Sequence, residues 1–131
     1  MSDTKIPTEL KYTKEDEWIR VEGEEGVIGL TDYAQDALSD IVYLELPAEG
    51  DFFGPGETFG VVESVKAASD LFMPVAGDIL AVNEDLLDSP ETLNSDPYEA
   101  GWLVRIKLSK MEELDGLMDA AQYEKYCAER S

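Results

Sequence analysis

The stretch VVESVKAASD, residues 61–70, sets a lysine between Val65 and Ala67, at the junction of two apolar runs. Those runs, TFGVVESV (58–65) and SDLFMPV (69–75), are rich in β-branched and aromatic residues and read as strands, so Lys66 falls at or beside the tip of a β-hairpin. The tip, VKAA, lacks the Asn-Gly signal of a two-residue hairpin and predicts a type I-like turn. Lys66 is the only lysine between Lys14 and Lys107 and the only positive charge between Arg20 and Arg105, a span holding nineteen Asp and Glu. An ordinary lysine is a cation, and the acids Glu63 and Asp70, if close, suit that charge. Schiff-base catalysis calls for an apolar pocket or a second cation, and neither is in view. Flanked by the small residues Ala67, Ala68 and Ser69, the amine is instead open to modification, and acylation would remove its charge and lengthen the side chain into a tether. An ordinary solvated lysine accounts for its isolation as well.

Outward from this hairpin, the chain reads as a series of short strands. EWIRVEG (17–23) and GVIGL (26–30) flank the turn-rich GEEG, and Thr31 is placed to cap a short helix over DYAQDAL, whose early Asp32 suits the positive end of a helix dipole. IVYLEL (41–46) is stopped by Pro47 and Gly50, GDILAVN (77–83) opens at Gly77, and GWLVRIKL (101–108) closes the strand-rich part. Two heptapeptides, PAEGDFF from Pro47 and PVAGDIL from Pro74, repeat with Lys66 between them and suggest a duplicated β unit. Between the last two strands, NEDLLDSPETLNSDP reads as a loop with one helical turn starting at Ser89 and Pro90. The C-terminal part is predicted helical, with capping-box spacing at Ser109/Glu112 and Asp119/Gln122. Its apolar faces are Leu114, Leu117 and Met118, then Ala120, Tyr123 and Cys127. Many short strands with close turns favour a sandwich or partly closed barrel. A single domain over residues 1–131 is expected, with a β core at about 10–108 and a helical extension at about 109–130.

Composition excludes several function classes. Net charge is −20 over 131 residues with a pI near 4.1, so most of the surface repels phosphate backbones and anionic lipids; neither nucleic acid nor membrane is an expected partner. The same field draws in proteins with basic patches. The chain contains no histidine, which removes Ser-His and Cys-His dyads and the commonest zinc ligand. Cys127 is the one cysteine, so no intrachain disulfide forms, and a packed thiol on a terminal helix is expected. No apolar run approaches the ~20 residues of a membrane span and no signal-peptide core opens the chain, so a cytoplasmic location is expected, or a mitochondrial matrix if a transit peptide has been removed. The acids Asp85, Asp88, Glu91 and Asp96 do not match the spacing of a Ca²⁺ loop.

Taken together, EDEWIRVEG, GLTDYAQDALSDIVYLELP, GVVESVKAASD, PVAGDILAVNEDLLDSPETLNSDPYEAGWLVRIKL and QYEKYC resemble, in order and spacing, the H proteins of the glycine cleavage system. The resemblance covers nearly the whole chain. It implies a mainly β, lipoyl-domain-like barrel-sandwich hybrid of two small antiparallel sheets, with a short internal helix and C-terminal helices. It further implies a non-enzymatic, monomeric carrier with lipoate joined to Lys66 by an amide. The implied partners are a pyridoxal-phosphate-dependent glycine decarboxylase, a tetrahydrofolate-dependent aminomethyltransferase, a dihydrolipoyl dehydrogenase, and the lipoate ligase or octanoyl/lipoyl transferase that modifies the lysine.

Three further positions carry over. Glu17 matches a family glutamate at a cleft that shelters the loaded arm, Asp70 matches the acidic position after the lysine, and Glu63 in the hairpin is implied in recognition by the modifying enzyme. A carboxylate there would hold the arm's terminal ammonium by a charge-assisted hydrogen bond. The chain departs from the family at Asp16-Glu17-Trp18, where His-Glu-Trp is usual, and at Glu15; two extra acids are therefore expected beside the cleft. Tyr33 stands where some members have histidine. Trp18 and Trp102 are expected core aromatics. Lipoyl domains of 2-oxo acid dehydrogenases normally place Asp before the lysine and biotin carriers place Met on both sides, neither of which occurs here. An H-like lipoyl relay or donor for other enzymes is an alternative with the same acceptor hairpin.

Overall fold

The computed structural model describes residues 5–130. Nine strands form two sheets. β1 (Lys11–Tyr12), β2 (Glu17–Glu22), β3 (Glu25–Leu30), β9 (Val104–Leu108), β8 (Gly77–Val82) and β5 (Phe52–Phe53) lie in that order in one; β4 (Ile41–Glu45), β6 (Thr58–Ser64) and β7 (Ala68–Phe72) form the other. Every pairing is antiparallel. Four helices complete the fold: α1 (Asp32–Leu38), α2 (Asp85–Asp88), α3 (Thr92–Ser95) and α4 (Ala120–Arg130), with a 3-10 segment at Met111–Gly116.

Side-chain alternation explains why two apolar layers arise from one sheet. In β2, Trp18 and Ile19 point to opposite faces, as do Val27 and Ile28 in β3. Ile19 and Ile28 join a core filled by both sheets, with Leu44, Phe59, Val62, Leu71 and Ile106. Trp18 and Val27 join a second cluster with Tyr12, Tyr98, Tyr123 and Cys127, which α4 covers. Both faces of β3 are therefore buried, and its sequence lacks polar alternation for that reason.

Trp18 lies opposite Gly29 in the β2–β3 register, and a Cβ at position 29 would come within 2.5 Å of the indole ring. Gly29→Ala is accordingly expected to cost about 1–3 kcal/mol by overpacking, read as a lower urea midpoint with an unchanged slope. The turn before β3 is shorter than GEEG suggests. Only Gly23 and Glu24 connect the strands, and Gly23, at φ +66°, stands at the first loop position, as a type II′ hairpin requires.

The two heptapeptides meet in space. Phe52 pairs with Asp78 and Phe53 with Gly77, while the Ile79 N–H donates to the Asp51 carbonyl at 2.8 Å, so each copy bonds to the other in antiparallel fashion. Thr31 caps α1 as expected, its hydroxyl accepting from the Ala34 N–H at 3.1 Å. The Asp119/Gln122 box also forms reciprocally, at 2.9 and 2.8 Å.

The Ser109/Glu112 box does not form. The Ser109 N–H donates to the Ala76 carbonyl at 3.2 Å, prolonging the β8–β9 association, and the following segment winds as a 3-10 turn from Met111 rather than an α-helix from Ser109. Glu113 accepts from the Ala76 N–H at 2.9 Å and fixes this arrangement. The 83–97 segment holds two short helices, α2 and α3, where one helical turn was expected; Leu86 and Leu93, both buried, dock one from each.

Candidate functional site

The hairpin of β6 and β7 is closed by three residues, Val65, Lys66 and Ala67, and Ala68, the last residue of the VKAA turn the sequence suggests, already belongs to β7. A side chain holds it. The Ser64 hydroxyl oxygen accepts from the backbone N–H groups of Lys66 (3.1 Å) and Ala67 (3.0 Å), and the Ser64 N–H donates to the Ala67 carbonyl at 2.8 Å. This serine turn needs neither glycine nor a positive φ, and none occurs at the tip. The sequence signal for this role is a serine two residues before a turn lysine, which the reading of the tip as VKAA leaves out.

The rigid loop presents Lys66 to solvent. The ammonium forms no salt bridge with any described residue and donates one hydrogen bond, at 3.1 Å, to the Ala37 carbonyl in the last turn of α1. That turn carries no basic residue, so Lys66 supplies the cation that the negative end of a helix favours. Glu63 pairs across the ladder with Tyr43 and Ala68, and Asp70 with Val61; both acids are exposed.

A second feature lies at the other end of β7. Glu17, the first residue of β2, is only 1% exposed. Its Oε2 accepts from the Phe72 N–H at 2.6 Å, on the edge strand of the three-stranded sheet, so one carboxyl group ties that free edge to the other sheet. Its Oε1 is buried and has no hydrogen-bond partner. Burial pushes the carboxyl pKa up to about 8; the Phe72 N–H opposes the rise, and Glu15 and Asp16 add to it. Glu17 lines a cavity of about 390 Å³ together with Tyr12, Glu15, Phe72, Met73 and Leu117. A desolvated acceptor with spare capacity in a mainly apolar pocket is suited to a cationic hydrogen-bond donor.

Strand β7 connects the two features. Phe72 lies six residues beyond Lys66, about 20 Å of extended chain, and Asp70 stands between them. Asp70 makes no hydrogen bond or ion pair with Glu17. Of the two extra acids expected beside the cleft, only Glu15 lines it. Asp16 turns away at φ +68° to accept from the Tyr123 hydroxyl at 2.8 Å and to form a salt bridge with Arg130, whose guanidinium lies 4.2 Å from the rings of both Tyr33 and Tyr126. Asp16 and Tyr33 thus anchor α4. Trp18 is fully buried, its indole N–H donating to the Pro97 carbonyl at 3.1 Å, and Trp102 packs partly buried in the same cluster. Cys127 lies on the buried face of α4.

The family profile described as Glycine cleavage H-protein matches residues 10–130. The chain belongs to that family. It is 51% identical to the glycine cleavage system H protein of Carboxydothermus hydrogenoformans over 95% of each chain, and 52% identical to that of Chromohalobacter salexigens over 91% of this chain and 92% of the other. Among solved structures, the glycine cleavage system H protein from Mycobacterium marinum superposes with a TM-score of 0.87 at 36% identity, covering 94% of this chain and 99% of that one. The architecture is that of the H-protein family, a lipoyl-domain-like barrel-sandwich whose sheets leave open edges. No described helix is long and apolar enough to cross a membrane.

Proposed function

We propose that this chain is the carrier of a glycine cleavage system, bearing a lipoyl group on Lys66 and catalysing no step itself. Family membership and relatives at about half identity support the carrier role and do not favour the alternative of a relay for other enzymes. The single observation that carries the site assignment is an exposed amine on a short loop held by Ser64, at one end of a strand whose other end borders the Glu17 cavity. When bound, the lipoyl group supplies a disulfide and dithiol that accept and release a one-carbon amine unit and electrons.

The protein's own groups have separable tasks. Ser64 keeps the tip fixed, so the amine is displayed rather than folded under. Glu17 offers its unpartnered oxygen to a protonated amine at the arm's end, and the apolar cavity walls keep water from it. Asp70, exposed between the two, adds negative potential along the way, and Glu63 marks the hairpin for the modifying enzyme. The expected partners are the pyridoxal-phosphate decarboxylase, the folate-dependent aminomethyltransferase, the dihydrolipoyl dehydrogenase and the lipoate-attaching enzyme, all meeting a strongly acidic surface.

Peptide mass mapping after expression in a lipoate-competent host tests the assignment. The acyl group is expected on Lys66 and on neither Lys14 nor Lys107. Acylation spread over several lysines, or absent from Lys66, would refute the site.

A further inference from the structure

We propose that a β-bulge in β4 creates the docking surface for the enzyme that acylates Lys66; the proposal rests on the carrier reading above. Strand β4 should alternate between core and solvent, yet Val42 and Tyr43 are both turned outward, between buried Ile41 and Leu44. The register shows the cause. Ile41 pairs with Ser64 and Tyr43 with Glu63, so Val42 has no partner on β6 and is the extra residue of the bulge.

Its effect is to place two apolar residues in succession on the surface, Val42 at 53% and Tyr43 at 46% exposure. Val65, at 67%, joins them, because its N–H donates to the Asp40 carbonyl at 3.0 Å and ties the hairpin tip to the start of β4. Three of the eight large apolar side chains exposed among the described residues thus belong to the hairpin tip and to the start of β4 that is bonded to it. Exposed acids adjoin these residues: the Asp40 carbonyl is bonded to Val65, Glu63 pairs with Tyr43, and the Glu45 carboxylate accepts from the Tyr43 hydroxyl at 3.2 Å. An apolar centre with an acidic rim fits a partner that presents an apolar socket rimmed by arginine or lysine.

The location of the chemistry selects which partner. Acyl transfer takes place at the lysine nitrogen itself, which the Ala37 carbonyl holds against the end of α1. An enzyme doing that chemistry must close over the tip, whereas enzymes that act on the sulfurs meet their reaction a full arm's length away. In the acylation, the amide bond forms between the lysine nitrogen and the acyl carbon as the bond from that carbon to its activating group, an adenylate phosphate or a thioester sulfur, breaks. The leaving group departs with the electron pair, and the ammonium gives up two protons to become the amide N–H.

The test follows acylation of the unmodified protein by intact mass, with a lipoate ligase, lipoate and ATP. Val42→Thr and Val65→Thr keep β-branching and volume, so folding is expected to persist. Each should lower kcat/KM for acylation roughly tenfold, chiefly through KM. Phe52→Thr, at a comparably exposed site (57%) on the other sheet, should acylate at the parental rate. Added salt should slow acylation of the parent. Once acylated, both valine variants should be reduced by dihydrolipoyl dehydrogenase at the parental rate. Parental acylation kinetics in the two valine variants would overturn the proposal. So would slowed reduction with normal acylation, which would assign the patch to an enzyme that uses the arm. A parent protein that takes no acyl group on Lys66 would instead overturn the carrier reading itself.

Discussion

Lys66→Arg is expected to abolish lipoylation and, with it, every transfer reaction of the protein. Arginine retains the positive charge and can still donate to the Ala37 carbonyl, so the turn held by Ser64 and the end of α1 keep their partners. What it loses is nucleophilicity, because a guanidinium does not deprotonate in the accessible range. The variant should therefore fold with a parental melting temperature and circular dichroism while intact mass shows no acyl group. Glycine cleavage reconstituted with it should fall to the level measured without carrier. Persistent acylation of the Arg variant would mean that another lysine carries the cofactor.

Glu17→Gln should have the second largest effect, and its signature is a dependence on pH. The folded carboxyl titrates near 8, against 4.5 for the unperturbed group, because the fold removes it from water. Between those values the folded protein holds a proton that the unfolded chain has released. Stability from this group is therefore complete below about pH 4.5 and is lost as pH rises toward 8. At about 1.4 kcal/mol per pH unit, the loss amounts to several kcal/mol. Glutamine preserves the acceptor for the Phe72 N–H and cannot ionise. The gain of Glu17→Gln over the parent should thus grow steadily across that window in urea titrations, and a difference independent of pH would refute the buried-acid account. In the loaded carrier an ammonium within reach of the carboxyl would favour its ionised form, a charge that glutamine cannot supply, so the hydrolytic lifetime of the loaded arm should shorten. If Glu17→Gln and Asp70→Asn both left that lifetime unchanged, the cradle role proposed for the two acids would fail.

The parts legible in the sequence were those set by neighbours close along the chain. The hairpin around Lys66, the Thr31 cap and the Asp119/Gln122 box each depend on residues a few positions apart, and their patterns specify them. Ser109 and Glu112 have the same spacing as a true box but form none, because Ser109 associates with Ala76, 33 residues away in numbering. Long-range pairing decides that case.

The candidate cavity was only half legible for the same reason. Family resemblance pointed to Glu17, but its burial depends on Phe72, 55 residues distant, and no local pattern reports it. Adjacency to Glu17 in the sequence places Asp16 beside the cleft, and the fold does not. Its positive φ turns it toward Tyr123 and Arg130, more than a hundred residues on. The bulge at Val42 was equally invisible, since IVYLEL reads as an ordinary apolar strand and only the register with β6 exposes two successive side chains.

The shelter of Cys127 has a bearing on a carrier whose cargo rides on sulfur. A thiolate on the surface of such a protein would attack the arm's own disulfide and trap it as a mixed disulfide, since exchange needs only an accessible thiolate and a reachable sulfur. Because the chain's single cysteine is buried in the cluster that holds Tyr12 and Tyr123, the proposed arm would exchange with partner enzymes and not with the carrier's own thiol.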